Sequence, residues 1–115
     1  MTAAPSFNIV EILRQRLGDD AVLADEASRR FYANDIFWQP GVAPLAVVLP
    51  RSAEEAAAAV GAATYAGVAV VPRGGGMSYT KGYLPARAQS VVIDATRLNR
   101  VTEVNAADAY ITVET

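Results

Sequence analysis

The sequence predicts an α/β fold (α+β overall): a small βαβ lobe with parallel strands, followed by the start of an antiparallel second lobe. Unbroken apolar runs at residues 45–49 and 68–71 have the pattern of strands buried on both faces, and an alanine-rich helical segment separates them. Segments 101–104 and 109–114 alternate polar and apolar residues, which is typical of a hairpin.

Composition places the chain among globular proteins and excludes several kinds of site. Its 115 residues suit one domain, 52% of them are apolar, and the net charge is −2 without any basic run. Nucleic acid is therefore not an expected partner. Since the chain has no cysteine and no histidine, disulfides, thiol nucleophiles, the usual zinc sites and a histidine general base are excluded.

Targeting signals are not visible in the sequence. Residues 1–6 lack the basic and apolar segments of a signal peptide, and the longest apolar stretch, residues 56–71, is rich in alanine and interrupted by glycines. We therefore expect no transmembrane segment and a cytoplasmic location, with which the absence of cysteine is compatible.

Residues 1–44 are predicted to form an N-terminal helical arm. A helix is expected over residues 7–17, because Asn8 can cap it and apolar side chains recur on one face, with Gly18 just past its end. This helix is interpreted as a packing element.

The rest of the arm is less regular. A short extended piece is expected at residues 22–23, and Asp25 can cap a helix over residues 26–32. The aromatic pair Phe37 and Trp38 follows. Two interpretations of this stretch stay open: it covers the domain, or its aromatic rings approach a cofactor ring.

Residues 45–115 are predicted to form the first lobe, incomplete at its C-terminus. Ser52 and Glu55 have the spacing of a capping box, so a helix should begin there and run to about Ala66. Gly61 lies inside that helix, where glycine costs about 1 kcal/mol, and we expect it to mark a close approach to the sheet.

The C-terminal part adds a third apolar strand at residues 90–94 and then the predicted hairpin. The sequence stops within a strand pattern at Thr115, which would leave a sheet edge unpaired. We expect the chain to be the front part of a larger protein or to pair with another chain, or with its own copy, through this strand.

The chemistry is expected at residues 72–82, the glycine loop, which directly follows the strand at residues 68–71. Three consecutive glycines are costly in backbone entropy, and a chain accepts them where φ is positive or where the backbone lies against a ligand. Successive N–H groups of such a turn bind an anion, to which Arg73 can add charge. Ligands of open α/β sheets bind at this end of the strands.

Other phosphate and hydrolase motifs do not fit the glycine loop. Lys81 is followed by Gly82 rather than by the Ser or Thr of the triphosphate motif, and the dinucleotide fingerprint lacks its third glycine and the following helix. Ser78 has no histidine to activate it. A backbone phosphate site remains, and a plain turn at the end of the strand is the alternative.

Segments 44–55, 70–78 and 91–99 resemble the N-terminal part of the FAD-linked oxidases, which share the p-cresol methylhydroxylase (PCMH) or vanillyl-alcohol oxidase type of FAD-binding domain. The chain is most similar to the glycolate oxidase and D-lactate dehydrogenase branch, and the resemblance covers about residues 20–115. It implies that FAD lies between two lobes with its diphosphate against the glycine loop. The implied cofactor-binding residues are Pro72, Arg73, Gly74, Gly75, Gly76, Met77, Ser78 and Gly82.

Two positions depart from the family pattern. Met77 stands where relatives often have threonine and where some have a histidine bonded covalently to the flavin, so the resemblance implies non-covalent FAD here. Lys81 replaces a usual glycine, which changes the far end of the loop.

The resemblance implies the FAD-binding portion of an oxidoreductase that oxidises a 2-hydroxy acid or similar alcohol by hydride transfer to flavin. The small-molecule substrate would contact a domain absent from this chain, so no catalytic residue and no metal site are assigned, and the chain alone is not expected to be catalytically competent. Two alternatives stay open: a non-catalytic module that binds a nucleotide or a partner chain, and an inactive truncated fragment.

Overall fold

A computed structural model describes residues 8–36, 42–78 and 80–114. The predicted aromatic pair Phe37 and Trp38 lies outside these residues. The helices and strands are α1 (Ile9–Leu17), β1 (Val22–Leu23), α2 (Glu26–Phe31), β2 (Ala46–Val48), α3 (Ala53–Tyr65), β3 (Ala69–Arg73), β4 (Ser90–Asp94), β5 (Val101–Asn105) and β6 (Tyr110–Val113).

The larger sheet has the strand order β1-β2-β4-β3. The strands β2, β3 and β4 are parallel, and β1 adds to the edge of β2 in the antiparallel direction. The predicted α/β class and the strand–helix–strand unit with parallel strands are therefore confirmed. The third strand of the prediction, β4, lies between the two strands of that unit and pairs with both of them.

The two faces of this sheet are covered by different elements. Helices α1 and α3 pack on one face, where their buried side chains meet those of β2 and β4. On the other face Tyr32, just after α2, packs against Val47 and Val92. Because both faces are covered, β2 is buried throughout, as its apolar run predicted, and β4 is buried as well. The prediction that the run at residues 68–71 is also buried on both faces is wrong, because β3 lies at the edge of the sheet and is only partly buried.

Helix starts follow the predicted caps. The Asn8 side chain accepts a hydrogen bond from the Glu11 amide at 3.3 Å, and the Ser52 hydroxyl accepts one from the Glu55 amide at 3.1 Å. The second half of the Ser52 capping box differs from the prediction, because the Glu55 carboxylate accepts from the amide of Arg51. It also forms an ion pair with the Arg51 guanidinium.

The prediction for Gly61 is wrong. This residue is exposed, and a Cβ placed on it would meet no atom within 4 Å. The residues that bring α3 close to the sheet are three buried alanines instead, Ala59, Ala62 and Ala63. Gly61 therefore weakens the helix without making room for a neighbour.

The described part of residues 1–44 contributes to the same core as the rest, since α1 packs on α3 and β1 joins the sheet. The division into residues 1–44 and 45–115 stays a prediction. The predicted hairpin is confirmed as β5 and β6, which form a separate two-stranded sheet. Among the described residues, no helix is long and apolar enough to cross a membrane.

Candidate cofactor site at the glycine loop

The glycine loop begins where β3 ends, at the carboxyl edge of the parallel sheet. Arg73 is the last residue of β3 and pairs with Asp94, the last residue of β4. The carbonyl of Arg73 accepts a hydrogen bond from the Ala95 amide at 2.9 Å. The loop is therefore anchored at its start by the central strand, on the edge where parallel sheets bind ligands.

The three glycines of the loop are not equivalent. Gly76 has a positive φ of 74°, a conformation that side chains disfavour, while Gly74 and Gly75 do not. A Cβ added to Gly74 or Gly75 would meet no atom within 4 Å. Within the part of the chain that the structure describes, the backbone N–H groups of residues 74–78 donate no hydrogen bond. A run of such N–H groups can bind an anion.

The side chain of Arg73 turns back against aromatic rings. Its guanidinium carbon lies 4.5 Å from the ring centroid of Tyr83, 4.9 Å from that of Tyr32 and 5.6 Å from that of Phe31. We call these three rings the aromatic cage. Nη1 of Arg73 also donates to the carbonyl of Asn34 at 3.3 Å. This differs from the expectation that the arginine would add its charge to a bound anion.

The far end of the loop folds back on its middle. The Tyr83 hydroxyl donates to the carbonyl of Gly76 at 2.9 Å. The hydroxyls of Ser78 and Thr80 lie 3.0 Å apart, and a Cβ on Gly82 would approach both. The structure therefore brings together Ser78 and Gly82 of the predicted site. Met77 is 69% exposed.

A buried polar pair lies next to the loop and was not found from the sequence. The Tyr32 hydroxyl donates to one carboxylate oxygen of Asp94, and the amide of Thr96 donates to the other at 2.9 Å. Burial, and then the hydrogen bond to Asp94, raise the pKa of Tyr32 to about 12. The available signal was an aspartate that ends an otherwise apolar strand.

Two cavities are lined by residues of the loop, and Arg73 lines both. One of about 330 Å³ is formed with the end of α2, and it is lined by Phe31, Asn34, Asp35, Ile36, Arg73, Gly76 and Tyr83. The other, of about 400 Å³, is mainly apolar and is lined by Ala56, Pro72, Arg73, Gly74, Ile93, Ala95 and Leu98. Both volumes are within the range of small-molecule sites. The described residues contain no cluster of carboxylates that could hold a metal ion.

A glycine loop at the carboxyl edge of a parallel sheet, with N–H groups that have no partner among the described residues, defines an α/β domain suited to a nucleotide diphosphate. Residues 44–115 match the family described as FAD binding domain, which is more than half of the chain. The chain therefore belongs to the FAD binding domain family, and the predicted resemblance and the FAD cofactor are confirmed.

Solved structures with similar folds support this assignment. The chain superposes on p-cresol methylhydroxylase with a TM-score of 0.77 at 21% identity, covering 96% of this chain and 22% of that one. It superposes on 4-ethylphenol oxidase from Gulosibacter chungangensis with a TM-score of 0.81 at 26% identity, covering 97% of this chain and 22% of that one. The predicted PCMH-type domain is thus confirmed.

A curated relative is similar in sequence as well. D-2-hydroxyglutarate dehydrogenase of Xanthomonas citri pv. viticola is 40% identical over 77 residues, which are 67% of this chain and 16% of that protein. The chain thus spans about a sixth of this relative and about a fifth of the solved structures.

The residues present fit the diphosphate of FAD. The loop offers N–H groups that have no partner among the described residues, and Gly74 and Gly75 leave the backbone open to close approach. The negative charge of a diphosphate is what such a backbone turn binds best.

Proposed function

We propose that this chain provides the diphosphate-binding part of the FAD site in a flavin-dependent oxidoreductase that oxidises a 2-hydroxy acid. The observation that carries the proposal is the run of N–H groups at residues 74–78, which make no hydrogen bond within the described chain. Membership of the FAD binding domain family supports FAD as the ligand. The similarity to D-2-hydroxyglutarate dehydrogenase supports a 2-hydroxy acid as the substrate class.

Several residues of the loop have a defined task in this proposal. The N–H groups of residues 74–78 bind the diphosphate oxygens, and Pro72 stiffens the backbone as it leaves the sheet. Ser78 and Gly82 close the far end of the loop. FAD, when bound, supplies the acceptor for the two electrons removed from the substrate.

The attachment of FAD at this loop is proposed to be non-covalent. Position 77 is methionine, and its thioether has no nucleophilic N–H or thiol with which to bond the flavin ring. The whole sequence also lacks histidine and cysteine. Denaturation with acid should therefore release all bound flavin into the supernatant, and flavin that stays with the precipitated protein would contradict this part of the proposal.

Gly75→Ala tests whether the loop backbone contacts FAD. A Cβ at Gly75 meets no protein atom within 4 Å, so the variant should fold normally, but its methyl group would hold a diphosphate away from the backbone. We expect amide NMR spectra titrated with FAD to show shifts at residues 74–78 in the wild type. The dissociation constant should rise by about tenfold in Gly75→Ala, as for the loss of about 1.4 kcal/mol.

Gly61→Ala is the matched control. It is the same chemical change at another glycine with no atom within 4 Å of the added Cβ, but it lies on the exposed side of α3. FAD affinity should be unchanged in this variant. Equal affinity in the wild type, Gly75→Ala and Gly61→Ala would show that the loop backbone does not contact FAD.

The substrate class needs a separate test, because this chain covers only 16% of the dehydrogenase that suggests it. In a full-length protein that carries this domain with FAD bound, a D-2-hydroxy acid should bleach the visible flavin absorption under anaerobic conditions. A simple alcohol without the carboxylate serves as control. Bleaching by the alcohol but not by the hydroxy acid would contradict the proposed substrate.

A further inference from the structure

Arg73 and Tyr83 both contact Gly76, the loop residue with positive φ. A Cβ built on Gly76 would lie only 2.9 Å from Nη2 of Arg73, so the guanidinium packs directly against the Gly76 backbone. From the other direction, the Tyr83 hydroxyl donates to the Gly76 carbonyl at 2.9 Å. The ring of Tyr83 also stacks on the guanidinium at 4.5 Å. Three residues thus form one small packed unit in the middle of the loop.

The charge of Arg73 is already used inside the protein. Two rings of the aromatic cage, Tyr32 and Tyr83, lie within 5 Å of its guanidinium carbon, well inside the distance for a cation–π interaction. Nη1 donates to the Asn34 carbonyl, beyond the end of α2. Arg73 therefore connects the end of α2 to the glycine loop through its hydrogen bond to Asn34, its stacking on the rings and its packing on Gly76.

We infer that Arg73 is a positioning residue for the cofactor site: it fixes Gly76 in its left-handed conformation and thereby orients the N–H groups of residues 74–78, and it is not the ionic partner of the phosphates. The effect on FAD rests on the proposed function, whereas the effect on the loop does not. The planar guanidinium is essential to this role, because a lysine ammonium cannot both stack on two rings and pack flat against a backbone.

Lysine at position 73 separates the two roles. A phosphate partner tolerates Arg73→Lys, since lysine binds phosphate as a point charge. A positioning role does not, so we expect Arg73→Lys and Arg73→Met to raise the dissociation constant of FAD by a similar factor of about ten. The dependence of FAD affinity on salt should be the same in the wild type and in Arg73→Met, because no ion pair with FAD is lost.

A double-mutant cycle that combines Arg73→Met with Tyr83→Leu measures the coupling between the two side chains. General destabilisation by either substitution would not produce such a coupling. If Arg73 and Tyr83 act through the same residue, their effects on FAD affinity should be strongly non-additive. Arg16→Met is the control, since Arg16 is exposed near the end of α1 and lies in none of the loop contacts. It should leave FAD affinity unchanged.

The outcomes are distinguishable from failure of the proposed function. Wild-type affinity in Arg73→Lys, or additive effects of Arg73→Met and Tyr83→Leu, would overturn the positioning role. If the wild-type chain shows no FAD binding, the proposed function fails for this chain, and the NMR spectrum of the ligand-free protein decides the positioning role. Arg73→Lys should then shift the amide signals of residues 74–78 in that spectrum. Unchanged amide signals would refute the positioning role.

Tyr83→Phe provides the test if the Arg73 variants do not fold. It keeps the ring that stacks on the guanidinium and removes only the hydrogen bond to Gly76. We expect about a threefold loss of FAD affinity and shifted amide signals at Gly76 and Met77, from a net hydrogen-bond contribution of this size. Unchanged FAD affinity together with unchanged amide signals would show that the hydrogen bond from Tyr83 to Gly76 does not shape the loop.

Discussion

Gly76→Ala should be among the most destabilising glycine substitutions in the loop, and its cost can be worked out from two contacts. With φ at 74°, any residue with a Cβ pays about 1–2 kcal/mol for the left-handed conformation. The new methyl group would also lie 2.9 Å from Nη2 and 3.5 Å from Cζ of Arg73. Moving the guanidinium off its rings forfeits part of a cation–π contact, about 0.5–1 kcal/mol.

Together these terms predict a loss of about 1.5–3 kcal/mol in the free energy of unfolding. For a domain of this size each kcal/mol lowers the Tm by about 4 °C, so the expected drop is roughly 6–12 °C. Urea unfolding followed by circular dichroism measures the free energy, and thermal unfolding measures the Tm. Gly74→Ala is the control, because its Cβ meets nothing within 4 Å and its φ is not left-handed.

Arg73→Ala separates the two terms. Without the guanidinium, the steric part disappears, and Gly76→Ala should cost only the about 1–2 kcal/mol of the backbone conformation. A Gly76→Ala variant that is as stable as Gly74→Ala would refute the reasoning. The reasoning would also be refuted if Gly76→Ala lowered the free energy of unfolding by the same amount with and without the Arg73 side chain. That result would mean that the packing of Arg73 on Gly76 has no energetic effect.

Three further changes test other parts of the fold. Tyr32→Phe should cost about 1–3 kcal/mol in urea unfolding, because it leaves one oxygen of the buried Asp94 carboxylate without its donor, and an unchanged midpoint would contradict the pair. The pKa of Tyr32 is raised to about 12, so the folded state keeps the phenol proton to higher pH than the unfolded chain does. The resulting contribution to stability is fully present below about pH 10 and is lost as the pH rises towards 12. When unfolding is measured as a function of pH, Tyr32→Phe should lose less stability over this range than the wild type. Lys81→Gly and Ala109→Gly, at φ values of 60° and 58°, should each raise stability by about 0.5–1 kcal/mol, and a decrease would mean that the side chain contributes more than its strain costs.

Local features of this fold could be predicted from the sequence because their causes are local. Asn8 and Ser52 lie three residues before the amides that they cap, and Gly67 ends α3 with a φ of 71°. The apolar run of β2 has no polar alternation, which predicted a strand covered on both faces. The run of β3 has the same pattern, but its place at the sheet edge leaves it only partly buried. The position of the glycine loop at the end of β3 followed from the same pattern.

Features that depend on distant parts of the chain could not be predicted. The insertion of β4 between β2 and β3 is a choice among strand orders that an apolar run does not encode. Tyr32 and Asp94 are 62 positions apart in the sequence, and Arg73 contacts Asn34 over 39 positions. The cost of a glycine inside α3 predicted a close neighbour for Gly61, but this residue lies on the exposed face of the helix, where no described atom is within 4 Å of an added Cβ.

The contacts of Arg73 and Tyr83 with Gly76 explain how the glycine loop can keep a defined shape and still offer the N–H groups that we propose to bind FAD. A loop that satisfied its own N–H groups with internal hydrogen bonds would have none to offer to a phosphate. The groups at residues 74–78 make no such bonds within the described chain, so the shape of the loop must come from elsewhere. Arg73 and Tyr83 fix the shape of the loop: the Arg73 side chain packs against Gly76, and the Tyr83 hydroxyl donates to the Gly76 carbonyl. This carbonyl is a hydrogen-bond acceptor, so a phosphate cannot use it. The contacts of Arg73 with the aromatic cage thus hold the loop in shape while the N–H groups of residues 74–78 stay available. Weakening these contacts should weaken FAD binding without altering any group that touches FAD.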